Sequence, residues 1–309
     1  MNYQLSEINF RTVADPVEFM EDCDEQYRKK IEAAAEKILE HKKQSPIILL
    51  AGPSGSGKTT TSMKIAEELE RRGVKTHYVA MDDYFRTVDE NYPRTAEGTP
   101  DLESPLCLDM ALLSEHFTKL ARGERIFVPK YEFSRQMRVV EPSKSVRLGK
   151  DEMITFEGIH AHNEMITRYH PDAFRLHISA DSDVVFGEQV VFDRTWFRLV
   201  RRMVRDYNFR GTSAEETMKL WDNVLRGERL YIAPFKWRSD LIVDTSFAYE
   251  LAVYNETATE LFQEVPEGIE RFDELRSVLP AIQLFGDIDP ALVAEDAMIR
   301  EFIGGGIYA

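Results

Sequence analysis

Five short runs of consecutive apolar, largely β-branched residues recur along the chain, at 47–51, 76–81, 153–156, 174–180 and 241–244. Runs of this length without polar alternation predict strands buried on both faces. Between most of them the apolar positions fall three and four apart, which predicts helices over 59–72, 108–122 and 194–206. Strands alternating with helices mean an α/β fold, one parallel sheet of about five strands flanked by helices. A further helix is expected over 24–44, with Tyr27, Ile31, Ala34, Ile38 and Leu39 on the face that packs onto the domain. Residues 1 to about 23 show no periodicity. The polar stretch 86–105 reads as a mobile segment over a site, and 138–150 as an irregular or hairpin excursion. Past Thr245 the pattern is mixed helix, ending in a helix over 290–303 that the glycines 304–306 stop. The expected division is an N-terminal extension with a helix (1–45), a central domain (46–246) and a mostly helical C-terminal extension (247–309).

The first run leads straight into GPSGSGKTT at 52–60, and that into a helix. This is G-x-x-x-x-G-K-[ST] in the strand-to-helix context it needs, the signature of nucleoside triphosphate binding. Gly52, Gly55 and Gly57 allow the tight turn, and with Ser54, Ser56 and Thr60 they complete a loop whose N–H groups face phosphate oxygens. Lys58 reaches the β- and γ-phosphates, and the Thr59 hydroxyl is placed for Mg²⁺.

In a parallel sheet ligands gather at the carboxyl ends of the strands. Asp82 and Asp83 follow the second run and Glu157 follows the third, so these carboxylates are expected to face the phosphates. Phosphoryl transfer needs a metal, a cationic clamp and a group to take the acceptor's proton. Glu157 suits an oxygen contact to Mg²⁺, and Asp82 suits the base. A helix cap or a solvated turn would also account for Asp82 and Asp83. Farther on, Arg198, Arg201, Arg202 and Arg205 share one helical face, with no acidic residue at i±4 before Asp206 to pair them. Arginine forks suit phosphate oxygens, so this helix is expected to act as a lid, with Arg210 and Gly211 as a loop or hinge.

A formal charge of −15 argues against nucleic acid or an anionic membrane as the main partner. Cys23 and Cys107 form no disulfide framework and no metal-ligand spacing. The first ten residues lack the basic lead and apolar core of a signal peptide, and no run approaches about 18 apolar residues. A cytoplasmic protein is expected.

GPSGSGKTT, MDDYFR, ESPLCLD, VPKYEFSRQMR, FEGIHAHN and RLVRRMVRDYNFRG stand in the order and spacing of the uridine kinase-like branch of P-loop kinases, related to phosphoribulokinase. The resemblance covers roughly 47–245 and implies a P-loop kinase fold with an arginine-bearing lid helix at about 194–215. It implies Mg²⁺-dependent transfer of a phosphoryl group from ATP or GTP to the 5′-hydroxyl of uridine or cytidine. Asp82 matches that family's general base and Glu157 its glutamate near Mg²⁺. Glu103 takes the place of an acidic residue that holds ribose hydroxyls, and Tyr131 and Phe133 match aromatics lining the nucleoside pocket. Arg202 and Arg205 match lid arginines that meet the phosphates, and Arg198 is counted with the substrate-facing residues. Members often form oligomers, so a homo-oligomer is carried over on that ground alone.

The chain also departs from the pattern. Gln136 stands where a base-reading histidine is usual, Glu103-Ser104-Pro105 replaces an acidic–His–Pro sequence, and Thr212 replaces an arginine. Gln136 can still hydrogen-bond a pyrimidine edge, since its amide both donates and accepts. Two alternatives therefore stay open: a sugar, polyol or phosphosugar acceptor, and an ATP-binding regulator without turnover. No Asn-Lys-x-Asp guanine motif and no LSGGQ-like segment occurs, which weakens GTPase and ABC-type readings.

Overall fold

A computed structural model describes residues 2–269 and 272–308. In chain order the main elements are α1 (Leu5–Ala14), α2 (Pro16–His41), β1 (Ile47–Ala51), α3 (Lys58–Arg71), β2 (Thr76–Ala80), α4 (Met110–Ala121), β3 (Met153–Glu157) and β4 (Phe174–Ser179). Then come α5 (Arg194–Arg210), α6 (Ala214–Gly227), β5 (Leu241–Asp244), α7 (Glu250–Gln263), α8 (Phe272–Ile282) and α9 (Arg300–Ile303). The five expected strands form one parallel sheet in the order β5-β4-β1-β3-β2.

β1 lies at the centre and is buried throughout. Its alternation sends Ile48 and Leu50 into a core shared with α2, α3, α5 and α7, and Ile47, Leu49 and Ala51 into a second core under α4. Each such side chain contributes about 1.5–3 kcal/mol by leaving water, so a polar run could not occupy this position. The stripe expected on α2 is the buried one, with Tyr27, Ile31, Ala34 and Ile38 packed inward and the Tyr27 hydroxyl 2.8 Å from Thr61 Oγ1 on α3. The register aligns Leu50 of β1, Glu157 of β3 and Ala80 of β2 side by side at the carboxyl edge.

Three expectations change. The first residues are ordered as α1 and the start of α2 rather than aperiodic coil. Asp15 caps α2 by accepting the Glu18 N–H at 3.0 Å, and Pro16 follows at the first helical position, where it has no N–H to lose. The helix expected over 290–303 is instead a 3₁₀ turn (Pro290–Leu292), an irregular stretch and α9. Finally, Gly211 is the left-handed cap that ends α5, with φ of 61°, and Arg210 is that helix's last residue.

The hairpin expectation for 138–150 is met by pairing with earlier residues. Met137–Arg138 pairs with Tyr131–Glu132, and Lys144–Val146 with Ile126–Val128, both antiparallel. Residues 86–105 run as an irregular loop, tied by Asp101 N–H to Pro93 O at 2.7 Å. No helix among the described residues is long and apolar enough to cross a membrane.

Candidate active site

The loop between β1 and α3 curls back over the sheet edge. Gly55 and Gly57 hold φ of 75° and 78°, which side chains rarely tolerate, and a β-carbon on Gly52 would lie 2.2 Å from the Ile178 carbonyl oxygen. The three glycines are thus required by backbone geometry. Helix α3 starts at Lys58, so its first N–H groups have no partner within the helix. Lys58 Nζ bends back to donate to the Pro53 carbonyl at 3.2 Å and lies 4.0 Å from Glu157 Oε1.

Glu157 ends β3, is 8 % exposed, and accepts the Tyr78 hydroxyl at 2.8 Å. Burial pushes its carboxyl up, Lys58 pulls it down and Asp82 pushes it up again. Asp82 lies two residues past β2, in the 3₁₀ turn Met81–Tyr84; the residue keeps surface exposed while its carboxyl is desolvated by its neighbours. Desolvation by the surrounding loop and strands raises its pKa, opposed by Lys58 and Arg210. Two carboxylates and one ammonium thus share one small volume, as the strand-end argument requires. Arg210, expected only as a hinge, belongs to this charged cluster.

Glu103 joins the same cluster from the irregular loop. Burial pushes its carboxyl up to about 7 against the pull of Arg202, with Asp101 and Asp82 adding to the rise. It packs on Gly227 at the end of α6, and next to it Arg226 pairs with Asp101 at 2.7 Å. A π-helical turn, Glu228–Ile232, follows at once. Such turns recur at functional sites. Sequence reasoning missed Asp101 and Arg226 because their pairing spans 125 residues of chain and leaves no local pattern.

Tyr131 is buried against Phe85 and Phe133, with ring centroids 5.4 and 5.0 Å away, while Phe133 is 49 % exposed. Gln136 is exposed at the tip of the same hairpin, in a left-handed conformation with φ of 50°. His160, ring against ring with Tyr231, has no hydrogen bond on either nitrogen among the described residues and is pushed down to about 3 by burial, so it is neutral.

The arginine face of α5 turns inward, onto the loop. Arg198 Nε donates to the Ser54 carbonyl at 2.9 Å, and Arg202 Nη1 to Ser54 Oγ at 3.0 Å. The expected lack of acidic partners is corrected by tertiary structure. Arg198 pairs with Glu228 at 2.7 Å and Arg201 with Glu250 at 2.6 Å, while Asp206 gathers Arg202, Arg205 and Arg210. Because Glu228 and Glu250 come from other elements, i±4 counting along the helix could not find them.

Residues 47–251 match the family described as Phosphoribulokinase / Uridine kinase family. The chain belongs to that family. Membership makes it an ATP-dependent phosphotransferase of the P-loop kinase type, and ATP with Mg²⁺ goes with this fold. Among relatives of the phosphoribulokinase/uridine kinase family, the uridine kinase of Staphylococcus haemolyticus is 28 % identical over 209 residues, 67 % of this chain and 91 % of that one. A solved structure described as a possible uridine kinase from Bacillus stearothermophilus matches with a TM-score of 0.46 at 18 % identity, covering 71 % of this chain and 100 % of that one. A D-glycerate 3-kinase from Cryptococcus neoformans var. grubii matches with a TM-score of 0.47 at 12 % identity, covering 66 % of this chain and 88 % of that one.

Proposed function

We propose that this protein transfers the γ-phosphoryl group of ATP to a nucleoside hydroxyl, with the 5′-hydroxyl of uridine or cytidine as the first choice. The observation that carries the reading is the meeting of Lys58, Asp82 and Glu157, from three neighbouring carboxyl-end segments, at the mouth of the phosphate-binding loop. On this reading residues 46–246 are the catalytic unit, and 1–45 and 247–309 flank it.

The residues present fit a magnesium ion. The donor set is oxygen only, and the Asp82 charge raises the Glu157 carboxyl, a conflict that a divalent cation would relieve. Among the described residues no group of three or more His, Cys, Asp or Glu side chains could hold a metal, so phosphate oxygens and water would have to complete the shell. Thr59 and Glu157 would hold it, and it would neutralise charge on the phosphates. The loop from Gly52 to Thr60, with Ser54, Gly55, Ser56 and Gly57, cradles the phosphates and Lys58 contacts the γ-group. Arg202 and Arg205 add positive charge from α5, a helix packed into the core rather than a free lid. Asp82 accepts the proton of the attacking hydroxyl as the new P–O bond forms and the bond to ADP breaks. Glu103 holds acceptor hydroxyls, Tyr131 and Phe133 flank the acceptor, Arg198 closes the wall, and Gln136 meets the base.

Coupled ADP release with Mg·ATP, run against uridine, cytidine, other nucleosides, sugars and polyols, tests this. Stimulation by uridine or cytidine is expected. One observation favours a sugar, polyol or phosphosugar instead: Gln136 is exposed on a hairpin tip rather than enclosed with Tyr131. Activity confined to those acceptors would establish that second reading, and silence across the panel with tight ATP binding would leave a regulator.

The Glu103 role makes a separate prediction. With its pKa raised to about 7, Glu103 is mostly neutral at pH 6 and mostly ionised at pH 8, and the carboxylate accepts from hydroxyls more strongly than the protonated acid does. Acceptor affinity, measured by calorimetry with a non-hydrolysable ATP analogue, should improve about tenfold from pH 6 to pH 8. In Glu103→Gln that dependence should vanish. A flat profile in the parent would remove Glu103 from the acceptor site.

A further inference from the structure

Residues 252–309 lie beyond the family match, yet their last helical turn reaches the phosphate-binding loop. Glu301, on α9, accepts with Oε2 from the Thr60 main-chain N–H at 3.2 Å and from the Thr60 hydroxyl at 2.7 Å. Thr60 is the third residue of α3, and the Thr61 N–H is already bonded to the Gly57 carbonyl at 3.1 Å. Lys58, Thr59 and Thr60 therefore own the free N–H groups of the first turn, and Glu301 has taken one of them. Next to it the Met298 thioether covers Gly57, where a β-carbon would lie 2.6 Å from Sδ.

The segment carrying Glu301 is fastened on both sides. Toward α5, Phe302 is buried 5.2 Å beneath the Arg201 guanidinium, and its carbonyl accepts from Asn208 Nδ2 at 3.2 Å. Toward α3, Lys64 pairs with Asp296 at 3.1 Å, and the Tyr308 hydroxyl donates to Glu67 at 2.5 Å. The Glu301 side chain itself is only half-buried, and none of these anchors is made through it. Its charge also acts on Glu157, whose carboxyl it pushes up, and on Arg210.

We propose that Glu301 competes with the donor nucleotide: its carboxylate holds the Thr60 donors needed by the α-phosphate end of a bound triphosphate, and ATP binds fully only when that side chain turns away. In a loop of this type the lysine reaches the β- and γ-phosphates and backbone N–H groups cradle the α- and β-phosphates. The donors deepest in the helix therefore serve the nucleoside end of the chain. Two anions cannot share one N–H and one hydroxyl at full strength, and their mutual repulsion adds to the conflict. Apparent affinity then falls by the fraction of molecules in which Thr60 is free. The inference rests on the loop being the ATP site.

The test is calorimetric titration of Mg²⁺ with a non-hydrolysable ATP analogue into the parent, Glu301→Gln and Glu301→Ala, with Mg·pyrophosphate as a second probe. Analogue binding should tighten about tenfold in Glu301→Ala and by less in Glu301→Gln, whose amide oxygen still accepts from Thr60 but carries no charge. Pyrophosphate, which spans the Lys58 end without reaching Thr60, should stay within about twofold of the parent. Unchanged or weaker analogue binding in both variants overturns the inference, and marks Glu301 as a cap that only stabilises α3. Equal tightening of pyrophosphate also overturns it, because the effect would then be diffuse charge rather than competition at Thr60. Lys58→Ala separates the two levels: if that variant binds the analogue as well as the parent does, the ATP-site reading itself fails.

Discussion

Asp82→Asn is expected to lower turnover about 10²- to 10⁴-fold while leaving Mg·ATP affinity close to the parent value. Asparagine keeps the size and the hydrogen-bonding outline but cannot take a proton. The position makes the effect specific. Asp82 is the second residue past β2, at the carboxyl edge of the sheet, and among the described residues no side-chain hydrogen bond ties it down as a structural cap. Its raised pKa, opposed by Lys58 and Arg210, sets the sign of the pH profile. The base must be ionised to act, so the rate should rise with pH through that raised pKa, and this limb should be missing from the residual activity of the variant. Steady-state kinetics at saturating acceptor, paired with analogue binding, check both halves. Full activity in Asp82→Asn would sink the assignment and return the proton to water or to Glu157. Loss of ATP affinity in step with turnover would make Asp82 part of the metal and nucleotide site rather than the base.

How far the sequence spoke depends on whether a feature is local. The five strands were legible because a strand buried on both faces has to be continuously apolar, and the register of β1, β2 and β3 then carries Asp82 and Glu157 to the same edge as the loop. The glycine loop was legible because its backbone excludes side chains at Gly52, Gly55 and Gly57. Helix α1 was missed although Leu5, Ile8 and Thr12 bury at helical spacing and Asp15-Pro16 marks the start of α2. Those signals were present but short. The contacts that complete the cleft were not legible at all. Glu301 meets Thr60 across 241 residues, Arg201 meets Glu250 across 49, and Arg226 meets Asp101 across 125, and no motif spans both ends of any of these pairs. A charged side chain in the sequence announces its charge but not its partner, so α5 read as an unpaired basic face until the fold supplied the carboxylates.

The Arg201–Glu250 pair carries the largest expected stability effect. Both side chains are fully buried, joined by Nε to Oε2 at 2.6 Å and Nη2 to Oε1 at 2.8 Å. Glu250→Ala leaves a guanidinium without its counter-charge in the core, which costs about 3–5 kcal/mol. Chemical denaturation of parent and variant measures it, and a change below about 1 kcal/mol would show that the charge finds another partner. The pair also has a second task. Arg201 Nη1 donates to the Gly55 carbonyl at 3.2 Å, and Thr245, whose carbonyl accepts from Arg201 Nη2, donates its hydroxyl to the Ser56 carbonyl at 2.7 Å. Both loop carbonyls are thereby engaged from the protein side, which leaves the neighbouring N–H groups to face phosphate. The double substitution Arg201→Met, Glu250→Leu separates the two tasks. Packed apolar side chains of similar volume often replace a buried ion pair without loss of stability. The double variant should therefore recover most of the lost stability, yet bind the ATP analogue more weakly than the parent because Gly55 has lost its donor. Recovery of both stability and affinity would mean that the loop holds its shape through its glycines alone.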